Sequence, residues 1–444
     1  MRTFTVKNTP IYINEEDGNF SIYRHEVELS SPVKIQQAPN YNHSLYECMS
    51  FCLEISDVCN LRCSYCFNQG KTGKRMSIKD AERSLDLLFS EFPNAEKYFI
   101  DLSGAGEPLM NLSLIDAIAQ YAKQKSDEID REVTVTLVSN GTLLSKPVAE
   151  HLQKKSILFG VSIDGNKENH DTYRVYANGR GSFDDIVKNI KSIKHRQYVG
   201  CAITITKTVF SLLDVLKELS EIFMTLSVKP VRSGTLGLDE ESCNAWLKEY
   251  EILEAYLEHG ILNKDLSLIF KLLNGDDFFG KFILRSFLNI KALSRCDSGI
   301  GRIAVSTEGK FYPCPALIGS NLVLGDVESG FDSESAKKIY RSLIERKECE
   351  ACPFRFACGG NCLAEDKKQN PVMCKFKKGL ILLAMLLEEK TRNYPEQYTR
   401  IIDFCLEKVS RTKENADLRR YRNDRPNISF TTAKQQFDQS RPMY

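Results

Sequence analysis

Cys59, Cys63 and Cys66 stand in the stretch Cys59-Asn60-Leu61-Arg62-Cys63-Ser64-Tyr65-Cys66, directly after the apolar run Phe51-Cys52-Leu53-Glu54-Ile55. Thiolates spaced C-x3-C-x2-C can hold three irons of a 4Fe-4S cube, one fewer than a complete protein ligand set, which leaves one iron open. Coincidence and zinc are the simpler accounts. With 15 Cys in 444 residues, chance places such a triplet on the order of 0.02 times per chain. Zinc calls for C-x2-C pairs and a fourth Cys or His close by, and no His lies between Cys66 and His151. A second block holds Cys296, Cys314, Cys349, Cys352, Cys358, Cys362 and Cys374. Seven cysteines, with one odd member, fit two zinc sites badly and iron-sulfur ligation better. The other five, Cys48, Cys52, Cys201, Cys243 and Cys405, read as small buried hydrophobes.

Composition narrows the setting of this chemistry. The chain is 42% hydrophobic, as a globular protein is, and long enough for one large core or two smaller ones. Its apolar runs, such as 380–387, are too short to span a membrane, and the N-terminus lacks a signal-peptide core. Lys+Arg 60 against Asp+Glu 59 gives no bulk charge that would point to nucleic acid or a membrane surface. Many thiols without a secretion signal argue for a reducing compartment, hence the cytoplasm.

The elements that must position the cysteines follow from periodicity. Residues 1–48 form a small β-rich segment, with β-type runs at 3–6, 11–13 and 20–29 around the turn signal at 14–19. From 49 to 235 strands and helices alternate six times, with strands expected at 51–56, 98–103, 133–139, 158–163, 199–206 and 226–231. Ser77 and Ser182 are expected to start helices between them. Six βα units make an α/β fold, a partial (β/α)6 TIM-type barrel whose chemistry sits at the C-terminal strand ends, where the first cysteine triplet lies. Residues 236–292 read as a helical bridge. Residues 293–378 hold the second cysteine block, and 379–444 read as an amphipathic helix begun at 374 and a polar tail carrying Arg419, Arg420 and Arg422.

The cysteine triplet resembles that of the radical SAM family, in which the open iron takes the amino and carboxylate groups of S-adenosylmethionine and reductive cleavage yields a 5'-deoxyadenosyl radical. Tyr65 fits the family's aromatic beside the adenine. Ser103-Gly104-Ala105-Gly106-Glu107-Pro108 resembles the GGEP motif that holds the methionine amino group, with Ala105 in place of the second family Gly. Ser139-Asn140-Gly141-Thr142 and Val161-Ser162-Ile163-Asp164-Gly165 end the third and fourth strands as in the family. By resemblance Ser162 and Arg174 are candidates for the carboxylate or ribose, against a capping Ser and a solvated Arg. The second cysteine block, entered by Gly309 and Cys314, is similar to the SPASM domain, which holds two auxiliary 4Fe-4S clusters. That resemblance implies three clusters in all. It gives one auxiliary cluster to Cys349, Cys352, Cys358 and Cys374, and the other to Cys296, Cys314 and Cys362, with no fourth local Cys.

The resemblance covers roughly 49–378 and implies a peptide maturase. Such an enzyme acts on a ribosomally made precursor peptide, forming a thioether or C-C crosslink, with an electron donor such as flavodoxin or ferredoxin. Alternatives are a maturase of a protein active site and a non-catalytic redox sensor. Pro315 stands where sulfatase-maturing members carry an Asp base, which counts against that activity. Leader-peptide binding by residues 1–48 is the lesser reading of that segment beside a structural strand pair.

Overall fold

The computed structural model describes all residues except 17, 23–47, 69–71, 194–198, 233, 276, 293, 366–369 and 412–444. The chain opens with three antiparallel strands, β1 (Arg2–Val6), β2 (Thr9–Ile13) and β3 (Phe20–Ser21), in the order β1-β2-β3. Of the expected run at 20–29, residues 23–29 lie outside the described residues, as does the polar tail from 412.

Six parallel strands follow: β4 (Cys48–Leu53), β5 (Lys97–Asp101), β6 (Glu132–Ser139), β7 (Leu158–Ser162), β8 (Gly200–Ile205) and β9 (Thr225–Pro230). They pair in chain order and form the partial TIM-type barrel. The helices that cross back between them bury the outer face. Phe51, Leu53, Ile100, Leu102, Val135, Leu137, Phe159 and Val161 alternate onto that face and share one core with helix residues such as Leu85, Leu88 and Ile118. Helix Ile78–Glu91 starts at Ser77, whose hydroxyl accepts from Asp80 N as expected of a cap.

The structure moves several boundaries. β4 runs three residues earlier than expected at both ends, because Ser56 leaves the sheet to bridge Arg75. Ser182 precedes helix Phe183–Ser192 but does not cap it; its hydroxyl donates to Arg174 O at 2.8 Å and meets His170 Nε2 at 3.0 Å. The sheet also extends past residue 235. β10 (Arg302–Val305) pairs parallel with β4, and β11 (Phe311–Tyr312) pairs antiparallel with β10, so the order is β11-β10-β4-β5-β6-β7-β8-β9. The stretch that carries the second cysteine block therefore shares a sheet with the first.

The helix expected from 374 runs Pro371–Thr391 and is not amphipathic: from Leu383 to Glu389 every residue is buried. It packs between helices Glu240–Leu262 and Phe278–Phe287 and beneath the N-terminal strands. A further helix, Pro395–Arg411, buries Ile401, Ile402 and Cys405 against this hub. No described helix is long and apolar enough to cross a membrane.

Candidate active site

The loop after β4 carries Cys59, Cys63 and Cys66, all half-buried and unbridged. Main-chain bonds dock it on the end of helix Lys167–Tyr173 and the segment after it: Ser64 N donates to Tyr173 O at 3.0 Å and Arg62 N to Val175 O at 2.7 Å. Two donors face one sulfur, Leu61 N at 3.4 Å and Asn140 Nδ2 at 3.8 Å from Cys59 Sγ. N–H groups aimed at sulfur suit a thiolate or a cluster thiolate, so this loop fits the group its spacing implies. Burial pushes the Cys63 thiol up to about 11; Arg174 opposes the shift, and Asp164, Cys59 and Cys66 add to it.

The loops after β5 and β6 close on the cysteine loop. Glu107 N donates to Val58 O at 2.8 Å. Gly106 has φ +67°, and a Cβ there would sit 2.5 Å from both Ser56 O and Val58 O, so only glycine allows this approach. Gly104 packs on the backbone of Leu53 and Glu54. Asn140 Nδ2 also donates to Asn60 Oδ1 at 2.8 Å, and Asn60 Nδ2 returns a bond to Thr142 Oγ1 at 2.8 Å.

Glu107 does not face open solvent at the barrel mouth; it is 1% exposed. Its Oε1 accepts from Ser139 Oγ at 2.7 Å and Leu109 N at 3.1 Å, and its Oε2 from Asn140 N at 2.7 Å. Burial raises its pKa, while the Asn140, Ser139 and Leu109 bonds and the Arg174 charge oppose the rise. A carboxylate offers about four lone-pair sites. Three are filled, which leaves one on Oε2 for a ligand donor.

Arg174 is not solvated. Its Nε donates to Asp164 Oδ2 at 2.7 Å, and its guanidinium lies 5.4 Å over the Tyr65 ring. The Tyr65 hydroxyl donates to the same oxygen, and Thr204 N to Asp164 Oδ1 at 2.8 Å. Burial pushes the Tyr65 phenol well above its ordinary range, Arg174 opposes, and Asp164 adds to the shift, so the proton stays on the phenol. Asp164 N donates to His170 Nδ1 at 3.1 Å. That ring nitrogen is therefore the acceptor, and Nε2–H points to Ser182 Oγ. Asp164 is fully buried and joins the cysteine loop to β7 and β8. Reading the sequence missed it as a site residue, although it lies inside the Val161–Gly165 motif. Ser162 is half-buried at the end of β7, and among the described residues no side-chain hydrogen bond ties it to this network.

The second block falls into two groups. Burial raises the Cys349 thiol, and Cys358, Cys352 and Cys374 stand close enough to push it the same way against Arg346. Burial likewise raises Cys314, with Cys362 and Cys296 adding and Arg232 opposing. Among the described residues no three His, Cys, Asp or Glu side chains stand close enough together to hold one ion. Three of the five scattered cysteines are placed elsewhere: Cys52 Sγ is 3.7 Å from Asp101 Oδ2, Cys243 Sγ is 3.7 Å from Val372 O, and Cys201 lies in the sheet's outer core. Cys296 Sγ lies 3.1 Å from Ser298 Oγ.

The radical SAM superfamily model matches residues 53–210, the stretch that contains these loops. Residues 53–210 are a radical SAM domain. The chain is similar to the cysteine-type anaerobic sulfatase-maturating enzyme of Clostridium novyi, 26% identical over 334 residues, covering 69% of this chain and 85% of that protein. It is similar to the antilisterial bacteriocin subtilosin biosynthesis protein AlbA of Bacillus subtilis, 25% identical over 324 residues, 69% of this chain and 65% of that one. A match to the uncharacterized protein MJ0907 of Methanocaldococcus jannaschii is 34% identical over 142 residues and spans about half, 47%, of that protein's length. The solved structure of anSMEcpe with bound AdoMet shares the fold, with a TM-score of 0.63 at 19% identity over 78% of this chain and 99% of that one. The radical SAM domain thus has maturase and peptide-modifying relatives.

Proposed function

We propose that this chain is a radical SAM enzyme that modifies a ribosomally made precursor peptide, forming a thioether or a C-C crosslink. The observation that carries the reading is one loop with three free thiols, two N–H donors aimed at Cys59 Sγ, and beside it the Glu107 carboxylate with one lone pair to spare, bound to Ser139 and Asn140 at one end of the parallel sheet. Cys59, Cys63 and Cys66 would hold a 4Fe-4S cluster, and Gly104, Gly106, Glu107, Ser139, Asn140, Ser162 and Arg174 would surround S-adenosylmethionine, with Tyr65 beside its adenine. When bound, that pair supplies a primary carbon radical able to remove hydrogen from an unactivated carbon.

The chain's own residues keep that site fixed. Glu107 ties the β5 loop to the end of β6, Asn140 steadies Cys59 and Asn60, and the Asp164–Arg174–Tyr65 contacts orient the middle of the cysteine loop. Fixed donors in a dry site cost little reorganisation when charge shifts.

The second cysteine block is read as a SPASM domain. Its two auxiliary 4Fe-4S clusters would be held by Cys349, Cys352, Cys358 and Cys374, and by Cys296, Cys314 and Cys362. Support comes from the thiols that raise Cys314 and Cys349 within their two sets and from the peptide-modifying relatives. A flavodoxin or ferredoxin in the cytoplasm would supply electrons. Maturation of a protein active site is the second reading, favoured by the sulfatase-maturating relative and weakened by Pro315. Anaerobic reconstitution followed by reduction tests the enzyme reading. Expected are about twelve irons per chain and release of 5'-deoxyadenosine, with a loss of two hydrogens from the matching precursor peptide. Zinc in place of iron would overturn it.

A further inference from the structure

The face of the sheet opposite the helix-packed core is built quite differently. Alternation along the strands turns Cys52, Asp101, Thr136, Val138, Gly160 and Ala202 inward, while their neighbours in sequence join the outer core. Cys52, Gly160 and Ala202 on this face are small, while Phe99 on β5 is large. Val138 is 36% exposed and Leu158 55% exposed, although both belong to interior strands of the sheet.

One charge sits on that wall without a counterion. Asp101 ends β5, half-buried, directly opposite Cys52 on β4 and Thr136 on β6. Its Oδ1 accepts from Ser103 N at 3.0 Å, and its Oδ2 receives only the Cys52 thiol at 3.7 Å. Among the described residues no ion pair includes Asp101. A partly buried carboxylate bonded to one amide and one thiol is poorly compensated. Folds keep such a group where a ligand completes it, and the C-terminal end of a barrel strand is where ligands arrive.

We propose that Asp101 reads a cationic side chain of the substrate, a lysine or arginine inserted into the barrel from the strands' C-terminal end. The inference rests on the peptide reading above and adds the class of residue that enters. Val138 lies nearer that end on β6, two residues beyond Thr136, so it offers an apolar wall to the methylene stem of a side chain whose head reaches Asp101. A charge-assisted hydrogen bond is worth about a tenfold to hundredfold preference over an uncharged isostere.

The test uses the full-length reconstituted protein and two probes. The first is Nα-acetyl-lysine methyl ester, compared with the norleucine ester by calorimetry in moderate salt. The second is a pair of fluorescent glycine-alanine octapeptides carrying one lysine or one norleucine. Wild type is expected to favour lysine about tenfold or more in both. Asp101→Asn, nearly isosteric, should erase the preference while its melting temperature and S-adenosylmethionine affinity stay unchanged. Val138→Trp, which fills the space beside Asp101 and leaves its charge in place, should weaken the lysine ester by about tenfold. No lysine preference in wild type, or one that survives in Asp101→Asn, overturns the proposal. An Asp101-dependent preference for the ester, with neither peptide bound, keeps the pocket and removes the peptide reading.

Discussion

Two buried carboxylates organise the two cysteine-bearing regions, and the number of cations around each differs. Asp164 takes its bonds from Tyr65, Arg174 and Thr204 N, so one cation balances it. Glu365 accepts from Arg295 at 3.0 Å, Lys377 at 3.3 Å and Cys362 N at 3.4 Å. Its partners adjoin three of the second block's cysteines: Arg295 precedes Cys296, and Lys377 lies one turn after Cys374. Both hubs draw together segments distant in the chain. The first has one ion pair and no substitute, whereas the second has two cations and can lose one.

Breaking the first hub should therefore have the largest effect. Asp164→Ala leaves Arg174 buried without its counterion and Tyr65 without its acceptor. Removing one partner of a buried pair costs about 3–5 kcal/mol, which urea denaturation would read directly. The variant should also lose the iron share of the Cys59–Cys66 loop while the second block keeps its own. Equal iron loss from both regions would mean that the hubs are not separate.

The next effect is a pH dependence confined to the first hub. Burial lowers the His170 pKa to about 4, an effect that Asp164 counters and Arg174 aids. The unfolded chain takes that proton near pH 6.5, so it gains protons first as pH falls. Stability from this group is present above about pH 6.5, declines toward pH 4, and levels below it, with a total of about 3 kcal/mol. His170→Gln should flatten that part of the profile relative to wild type. Parallel wild-type and variant profiles would assign the slope elsewhere.

Much of this was legible in advance, and the misses share a cause. Six barrel strands are found within three residues of expectation, because alternation, Ser caps and glycine turns are local signals. The cysteine frames are local too, since their spacings are read within a few residues. β10 went unread because it pairs with β4, some 250 residues earlier, and β11 because it is a two-residue strand that pairs with β10. Asp164 went unread as a hub because Tyr65 lies 99 residues away, and no local pattern announces such a pairing. The stretch 374–387 read as amphipathic, yet its Lys377 is buried in an ion pair, as are Glu388 and Glu389 just beyond it.

Glu107→Gln should come third. The side chain keeps its shape, but an amide NH2 must replace one oxygen that now accepts hydrogen bonds, so at least one donor among Ser139, Leu109 and Asn140 loses its partner. The loss is expected at about 1–3 kcal/mol, so the melting temperature falls together with S-adenosylmethionine affinity. A full loss of affinity at unchanged stability would make Glu107 a ligand group alone.

The smallest effect is expected at the second hub. Lys377 is 1% exposed and Glu365 almost as buried, so by burial alone this pair resembles Asp164–Arg174. What differs is the remainder after one partner goes. In Lys377→Met, Glu365 still accepts from Arg295 and from Cys362 N, and the methionine fills most of the lysine stem's volume in an apolar helix packing. Asn361 Oδ1, which takes the other lysine bond at 2.8 Å, does lose a donor. Buried pairs replaced by apolar side chains are often neutral when no charge is stranded. The net change should stay within about 1 kcal/mol, several-fold below Asp164→Ala, with iron in the second block retained. Adding Arg295→Met should then exceed the sum of the single variants by about 1–3 kcal/mol, since only the double variant strands the carboxylate. Strict additivity would mean that Glu365 is held by something other than its two cations.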